Sequence, residues 1–285
     1  MHRPGRPRLA LSQVPLLLVP LLAPALTACE SLEIGGAKHA TLTYTDDARS
    51  AYNEALVAFN DRDWESARAL LGEVRKLFAY SRYARLAELR LADIDFEQEK
   101  FGDAISGYRE FAQNHKNDPD VEYARYRMTK AIFRDIDDSI LLPPAEERDQ
   151  ATTLEAFREL RAYLKDFPKT RYRVDEAYML EVVVQRLMRH ELYVARHYLR
   201  DENFDAVIAR IDGALKAYPS CKLVPEAMVL KGETLMKMKK LDDAAEIFNA
   251  VVTTQDGPFV PVAKGFLEEL KQRRPAGKTA AAPSK

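Results

Sequence analysis

The stretch Met228–Val251, MVLKGETLMKMKKLDDAAEIFNAV, decides how the chain is read. Gly232 is followed twelve residues later by Ala244, and Ala244 four residues later by Phe248. A small residue in one helix and a small residue in the next let two antiparallel helices approach closely. A large apolar residue one turn on, at the spacing of a single helix face, then fills the groove between them. Gly232 and Ala244 are expected at that close contact. Leu241-Asp242-Asp243 is expected to form the turn and N-cap between the two helices.

The same register recurs along the chain. Ala55, Ala67 and Leu71 hold it from about Asp46 to Tyr80, with Asp63-Trp64 marking the turn and Trp64 anchoring the helix packing. Ala92, Ala104 and Tyr108 hold it from Ser81 to Lys116. The third copy starts at Glu122–Ile136 and is broken by Asp137–Glu147, because Leu141-Leu142-Pro143-Pro144 cannot continue a helix. It resumes from Arg148 to Phe167 with Ala156 and Leu160 in register. This insertion is either an exposed partner contact or a cover over the core between repeats. A long helix, Tyr172–Arg200, opens the fourth copy, in which Val194, Ala195 and Tyr198 are followed by Val207, Ile211 and Pro219. Phe259–Gln272 forms a last amphipathic helix. Helix pairs of this register are the signature of tetratricopeptide repeats. The expected fold is all-α, a helical solenoid of five pairs whose apolar faces close only against their neighbours, as one continuous core.

The ends differ from the body. Arg3, Arg6 and Arg8 precede an apolar run, Leu9–Leu26, which carries Pro15, Pro20 and Pro24 and ends in Leu26-Thr27-Ala28-Cys29. A basic start, an apolar centre and small residues before a cut make a secretory signal, and three prolines disfavour a spanning helix. The Leu-Thr-Ala-Cys ending resembles a bacterial lipobox. It implies cleavage after residue 28, diacylglycerol on Cys29 and acylation of the new amino terminus, enough chains for stable anchoring. By the sorting rule of enteric lipoproteins, Glu30 after the cysteine implies the outer membrane. The expected divisions are thus a leader at 1–28, a lipidated flexible tether at 29–45 and repeats one and two at 46–119. Repeats three to five with the capping helix occupy 120–272, and 273–285 form a disordered tail.

Composition narrows the function. The chain is 31% charged and 47% hydrophobic with 11 Gly, which suits a helical body and not a sheet or a disordered chain. Its net charge is −1, and loss of the three leader arginines takes it to about −4, so nucleic acid is not expected as a partner. His190 and His197 are seven residues apart, too far to share a metal without a third element. No His-Glu-x-x-His, Gly-rich phosphate loop or nucleophile elbow occurs. Cys221 is left without a disulfide partner once Cys29 is acylated, and is expected to be a structurally unimportant thiol. An enzyme is not expected, nor any cofactor beyond the covalent lipid.

Several local signatures carry a family resemblance. They are Tyr80-Ser81-Arg82-Tyr83-Ala84, Asp118-Pro119-x3-Tyr123-Ala124-x-Tyr126, Arg148-Asp149-Gln150 with Ala156-Phe157, and Arg186-Leu187-x3-Glu191-x2-Val194-Ala195-x2-Tyr198-x-Arg200. With the lipobox they resemble the BamD (ComL) family of outer-membrane assembly lipoproteins over essentially the whole mature chain. Ala79, Lys116 and Thr129 depart from it where Pro, Pro and Gly are usual. The resemblance implies a periplasm-facing scaffold of the machinery that inserts β-barrels into the outer membrane. Its N-terminal repeats would bind the C-terminal strand of unfolded barrel proteins, with Tyr80 and Tyr83 as candidate contacts. Its C-terminal repeats would dock on the barrel-forming subunit, BamA, through a POTRA domain, with Arg186, Glu191 and Arg200 as candidates, beside accessory Bam lipoproteins. Two bland readings stand alongside: Tyr83 only packs one repeat on the next, and Arg186 forms an ordinary surface ion pair. The competing function is a periplasmic tetratricopeptide adaptor of the Tol-Pal and peptidoglycan system.

Overall fold

The computed structural model of the chain describes residues 36–136, 142–254 and 257–273. The leader, Cys29, Glu30, the start of the tether, the first five residues of the insertion (137–141) and the tail beyond Arg273 lie outside them. Among the described residues there are eleven helices and no strand. In pairs they are α1 (Gly36–Asn60) with α2 (Trp64–Leu77), α3 (Arg82–Glu97) with α4 (Phe101–Asn114), and α5 (Val121–Asp135) with α6 (Ala151–Asp166). Then follow α7 (Arg173–Arg200) with α8 (Phe204–Ala217), α9 (Val224–Lys237) with α10 (Leu241–Thr254), and the capping helix α11 (Phe259–Arg273). From α2 onward each helix packs on the next in sequence, and α5–α7 and α9–α11 are next-but-one pairs. The described residues from Tyr44 onward form one compact unit, and only the start of α1 is described before it.

The turns repeat more strictly than the sequence does. Arg62, Glu99, Glu202 and Lys239 each take left-handed backbone, with φ of 59°, 59°, 56° and 63°. After each, the following N–H reaches back to a helix carbonyl: Asp63 to Ala58, Lys100 to Asp95, Asn203 to Tyr198 and Lys240 to Leu235, at 2.9–3.0 Å. The left-handed residue itself bonds three residues back. This is the Schellman closure, here made without glycine. It ends the first helix in every pair but the third, where the insertion intervenes.

Between pairs a second turn recurs. Phe78, His115, Phe167 and Tyr218 close the second helices, and Ser81, Asp118, Thr170 and Cys221 bond back to them. The side chain three residues after the ring then accepts a backbone N–H: Ser81 from Ala84, Asp118 from Asp120, Thr170 from Tyr172, and Cys221 from Leu223 at 3.5 Å. Cys221 is therefore not incidental. It is free, buried and placed where its neighbours use an oxygen, and burial pushes its thiol pKa up.

Other expectations are also corrected. The helical body begins at Gly36, not Asp46, so Gly36–Thr45 of the expected tether is helix. No proline interrupts 36–60, and a helix nucleated by its packed half propagates backward at little cost. Leu241 is already helical, so Asp242 and Asp243 lie in the first turn of α10, where they favour its dipole instead of capping it. The atoms nearest Gly232 across the α9–α10 contact belong to Phe248. A Cβ placed on Gly232 would lie 2.5 Å from the Phe248 ring, so glycine makes room for an aromatic. In the second repeat the small contact is Ala92 with Gly107, a residue outside the expected register. The core is three clusters and not one: the first repeat with α3, the second to fifth repeats, and the fifth repeat with α11. Trp64 packs edge-on to Phe59 at 5.5 Å, as an anchor should.

Candidate partner and substrate surfaces

The first helices of repeats one to three build a band of aromatic and guanidinium groups around one buried acid. Asp93 of α3 is 1% exposed. Its carboxylate accepts the Tyr108 hydroxyl at 2.5 Å and the Tyr123 hydroxyl at 2.8 Å, and pairs with Arg127 at 3.2 Å and with Arg90. Arg90 lies between Phe59 and Tyr123, with its guanidinium 5.8 and 5.7 Å from their centroids. Arg127 lies over Phe96 at 4.1 Å. Burial and the Asp93 charge hold both phenols un-ionised, well above the usual tyrosine range. Burial alone would lower the two arginines, but Asp93 and the tyrosines outweigh it and they stay charged. A buried carboxylate with two cations and two hydroxyl donors is satisfied, and losing one partner would expose the penalty of the rest.

Tyr83 stands at one end of this band. Its ring tilts against Tyr52 at 5.7 Å, and Tyr52 sits beside Arg90. Tyr83 is half-buried, so it does pack repeat two on repeat one while keeping an open edge. Tyr80 is not part of the band: it is 96% exposed, in the turn before Ser81. The sequence concealed this network, because the partners of Asp93 come from three helices up to 34 residues apart. Its one sequence trace is an acid between Ala92 and Ile94, on the face of α3 that otherwise enters the core.

The fourth-repeat candidates share α7 but not a face. Arg186 and Arg200 are separated by about 21 Å along the axis and turned by about 40°, whereas Glu191 is turned by about 140° from Arg186. Arg186 is half-buried and Arg200 exposed. Glu191 pairs with Arg210 of α8 at 3.1 Å, at the rim of a depression of about 430 Å³ lined by Tyr198, Ala209, Gly213 and Tyr218. A second depression, about 500 Å³, has Phe157, Leu164, Leu180 and Val184 on its walls. Val174 and Tyr178, one turn apart on α7, are exposed. Thus α7 runs between two hollows and also presents apolar side chains.

The described end of the insertion is an exposed Leu142-Pro143-Pro144 followed by a tied segment. Nδ1 of His190 meets the Glu146 carbonyl at 2.7 Å, and Gln150 donates to the Ala145 and Arg148 carbonyls. His190 thereby fastens the insertion to α7. The segment 142–144 lies open and does not cover the core. Among the described residues no cluster of His, Cys, Asp and Glu could hold a metal ion, and no helix is long and apolar enough to cross a membrane.

Comparison with known proteins follows the same lines. Residues 45–249 match the family described as YfiO, outer membrane lipoprotein. An outer membrane protein assembly factor BamD of Neisseria gonorrhoeae is 25% identical over 250 residues, covering 86% of this chain and 93% of that one. Its counterpart from Caulobacter vibrioides is 25% identical over 225 residues, covering 79% and 68%. Among solved structures, a P58(IPK) TPR domain is similar at 13% identity over 83% of this chain and 69% of that chain, with a TM-score of 0.39, too loose a fit to build on.

Proposed function

The chain belongs to the YfiO family of outer membrane lipoproteins, and we propose that it serves outer membrane protein assembly as a non-enzymatic scaffold, lipid-anchored through Cys29 and facing the periplasm. Relatives called assembly factors, matched over most of their length, support the general role. The finer reading divides the chain. The band from Tyr83 through Tyr52, Arg90 and Tyr123 receives an extended, aromatic-rich segment of an unfolded barrel protein. The helix α7 docks on the barrel-forming subunit through Arg186, with Glu191 and Arg200 nearby, and accessory lipoproteins join the same complex.

The observation that carries the reading is the band itself. Three successive first helices place ring faces and guanidinium faces side by side, and Asp93 holds them in place. An aromatic of the incoming strand that stacks there gains about 0.5–1.5 kcal/mol beyond burial. Fluorescence anisotropy with a labelled C-terminal barrel peptide tests it: Tyr83→Ala weakens binding several-fold with helical circular dichroism unchanged, and Tyr80→Ala, outside the band, changes it less. Unchanged affinity in Tyr83→Ala, or equal affinity for a scrambled peptide, removes the assignment.

A further inference from the structure

Among the described residues, Glu176 is an acid with neither an ion pair nor solvent at its carboxyl. Glu176, in the first turn of α7, is 0% exposed. Its Oε2 is buried with no hydrogen-bond partner among the described residues. Its Oε1 lies 2.5 Å from Oγ1 of Thr129 on α5. That same Oγ1 lies 2.8 Å from the Tyr126 carbonyl one turn earlier in its own helix.

The protons can be counted. Two contacts of hydrogen-bond length meet at the Thr129 oxygen, and the hydroxyl has one proton. The Tyr126 carbonyl can only accept, so the hydroxyl proton is needed there, in the back-bond that a helical threonine commonly makes. The contact to Glu176 then needs a second proton, and the carboxyl is the group that can carry it. We propose that Glu176 is protonated in the folded chain and donates to Thr129, making the joint between α5 and α7 a latch that loosens when this proton is lost.

The surroundings agree. On α5, Arg125 is committed to Asp166 at 2.8 Å and its own Nε is buried without a partner, and Lys130 is held by Asp175 at 3.1 Å and by the Tyr126 hydroxyl. Glu122, also on α5, accepts from Thr170, which meets the Tyr163 hydroxyl of α6. Asp175, next along α7, adds a like charge. The acids thus oppose ionisation, and the cations relieve it only from a distance. Burial is the largest cause, and it pushes the Glu176 carboxyl from the ordinary 4.5 up to about 7.

The folded chain then binds one proton more than the unfolded chain between the two values. Its stability falls as pH rises from about 5 towards 7 and levels off above that, the reverse of an ordinary salt-bridged acid. The loss acts on α7, the helix that carries Arg186. That consequence for docking rests on the proposed function, whereas the latch does not, and its test reads only titration and stability.

The test compares the full chain with Glu176→Gln, whose amide donates to Thr129 without titrating, over about pH 5 to pH 8. The difference between the two melting temperatures is expected to change by about 5 °C in favour of the variant at the alkaline end. Every group other than residue 176 is common to the two proteins, so its contribution cancels in the difference. Parallel curves overturn the latch. Glu176→Met, a buried apolar replacement of similar length, keeps the comparison open if the glutamine variant does not fold. In carbon-13-labelled wild-type protein, one glutamate carboxyl is expected to titrate near pH 7. If all glutamates titrate near 4.5, the proposal is wrong.

Discussion

Gly232→Ala isolates the contact from which the repeat was first read. The added methyl would lie 2.5, 2.6 and 3.0 Å from Cε1, Cζ and Cδ1 of Phe248. That ring cannot swing away. It is fully buried and stacked on Phe266 at 4.9 Å and 11°. Alanine favours a helix interior over glycine by about 1 kcal/mol. Forcing a methyl into a filled core costs about 1–3 kcal/mol. The overpacking wins, and the expected net loss is about 1 kcal/mol, or about 2–4 °C in melting temperature for a domain of this size. Gly72→Ala, at an exposed site of α2 with nothing within 4 Å, keeps only the propensity gain and should stabilise. The decisive assay is thermal unfolding by circular dichroism in a cycle with Phe248→Leu. In the leucine background, where the ring is gone, Gly232→Ala should turn from destabilising to neutral or stabilising. If Gly232→Ala stabilises the wild-type chain as Gly72→Ala does, the helix contact has been misplaced.

Lys239→Gly relaxes a left-handed, exposed lysine, and denaturant melts should show a gain of about 0.5–1 kcal/mol. Asp93→Asn removes the charge that two arginines and two phenols share. It should lower stability by about 3 kcal/mol in the same melts and weaken peptide binding at the band with it. Cys29→Ala should leave an unacylated, poorly processed precursor, read by a fatty-acid label in cells; wild-type incorporation would place the anchor elsewhere.

The helices and their pairing were legible because apolar periodicity and the small, small, large spacing are local facts. What stayed hidden depends on partners distant in sequence or on backbone geometry without its usual residue. Left-handed turns are normally betrayed by glycine, and Arg62, Glu99, Glu202 and Lys239 give no such sign. The role of Cys221 was readable in principle, from an aromatic or histidine ring followed three residues later by Ser81, Asp118, Thr170 or Cys221. It emerges only when the four turns are aligned. Thr129 stood out as a departure, but its meaning required Glu176, 47 residues on. At the candidate surfaces, Tyr83 could be selected from sequence as half-committed to packing, while Asp93 and its arginines could not. Arg186, Glu191 and Arg200 were correctly placed on one helix, whose 28 residues nevertheless turn them to different sides.

The central claim is that this chain is the lipid-anchored scaffold of barrel assembly and that α7 is its docking helix. It is tested most directly by purifying the tagged, full-length protein from envelopes in mild detergent, as wild type and as Arg186→Glu, with melting temperatures measured in parallel. The account expects an Omp85-type barrel-forming subunit to accompany the wild type and to be lost from the charge reversal, by more than the parallel change in melting temperature explains. Tol, Pal or peptidoglycan-synthesis proteins in place of the barrel-forming subunit, or its undiminished recovery with Arg186→Glu, would contradict it.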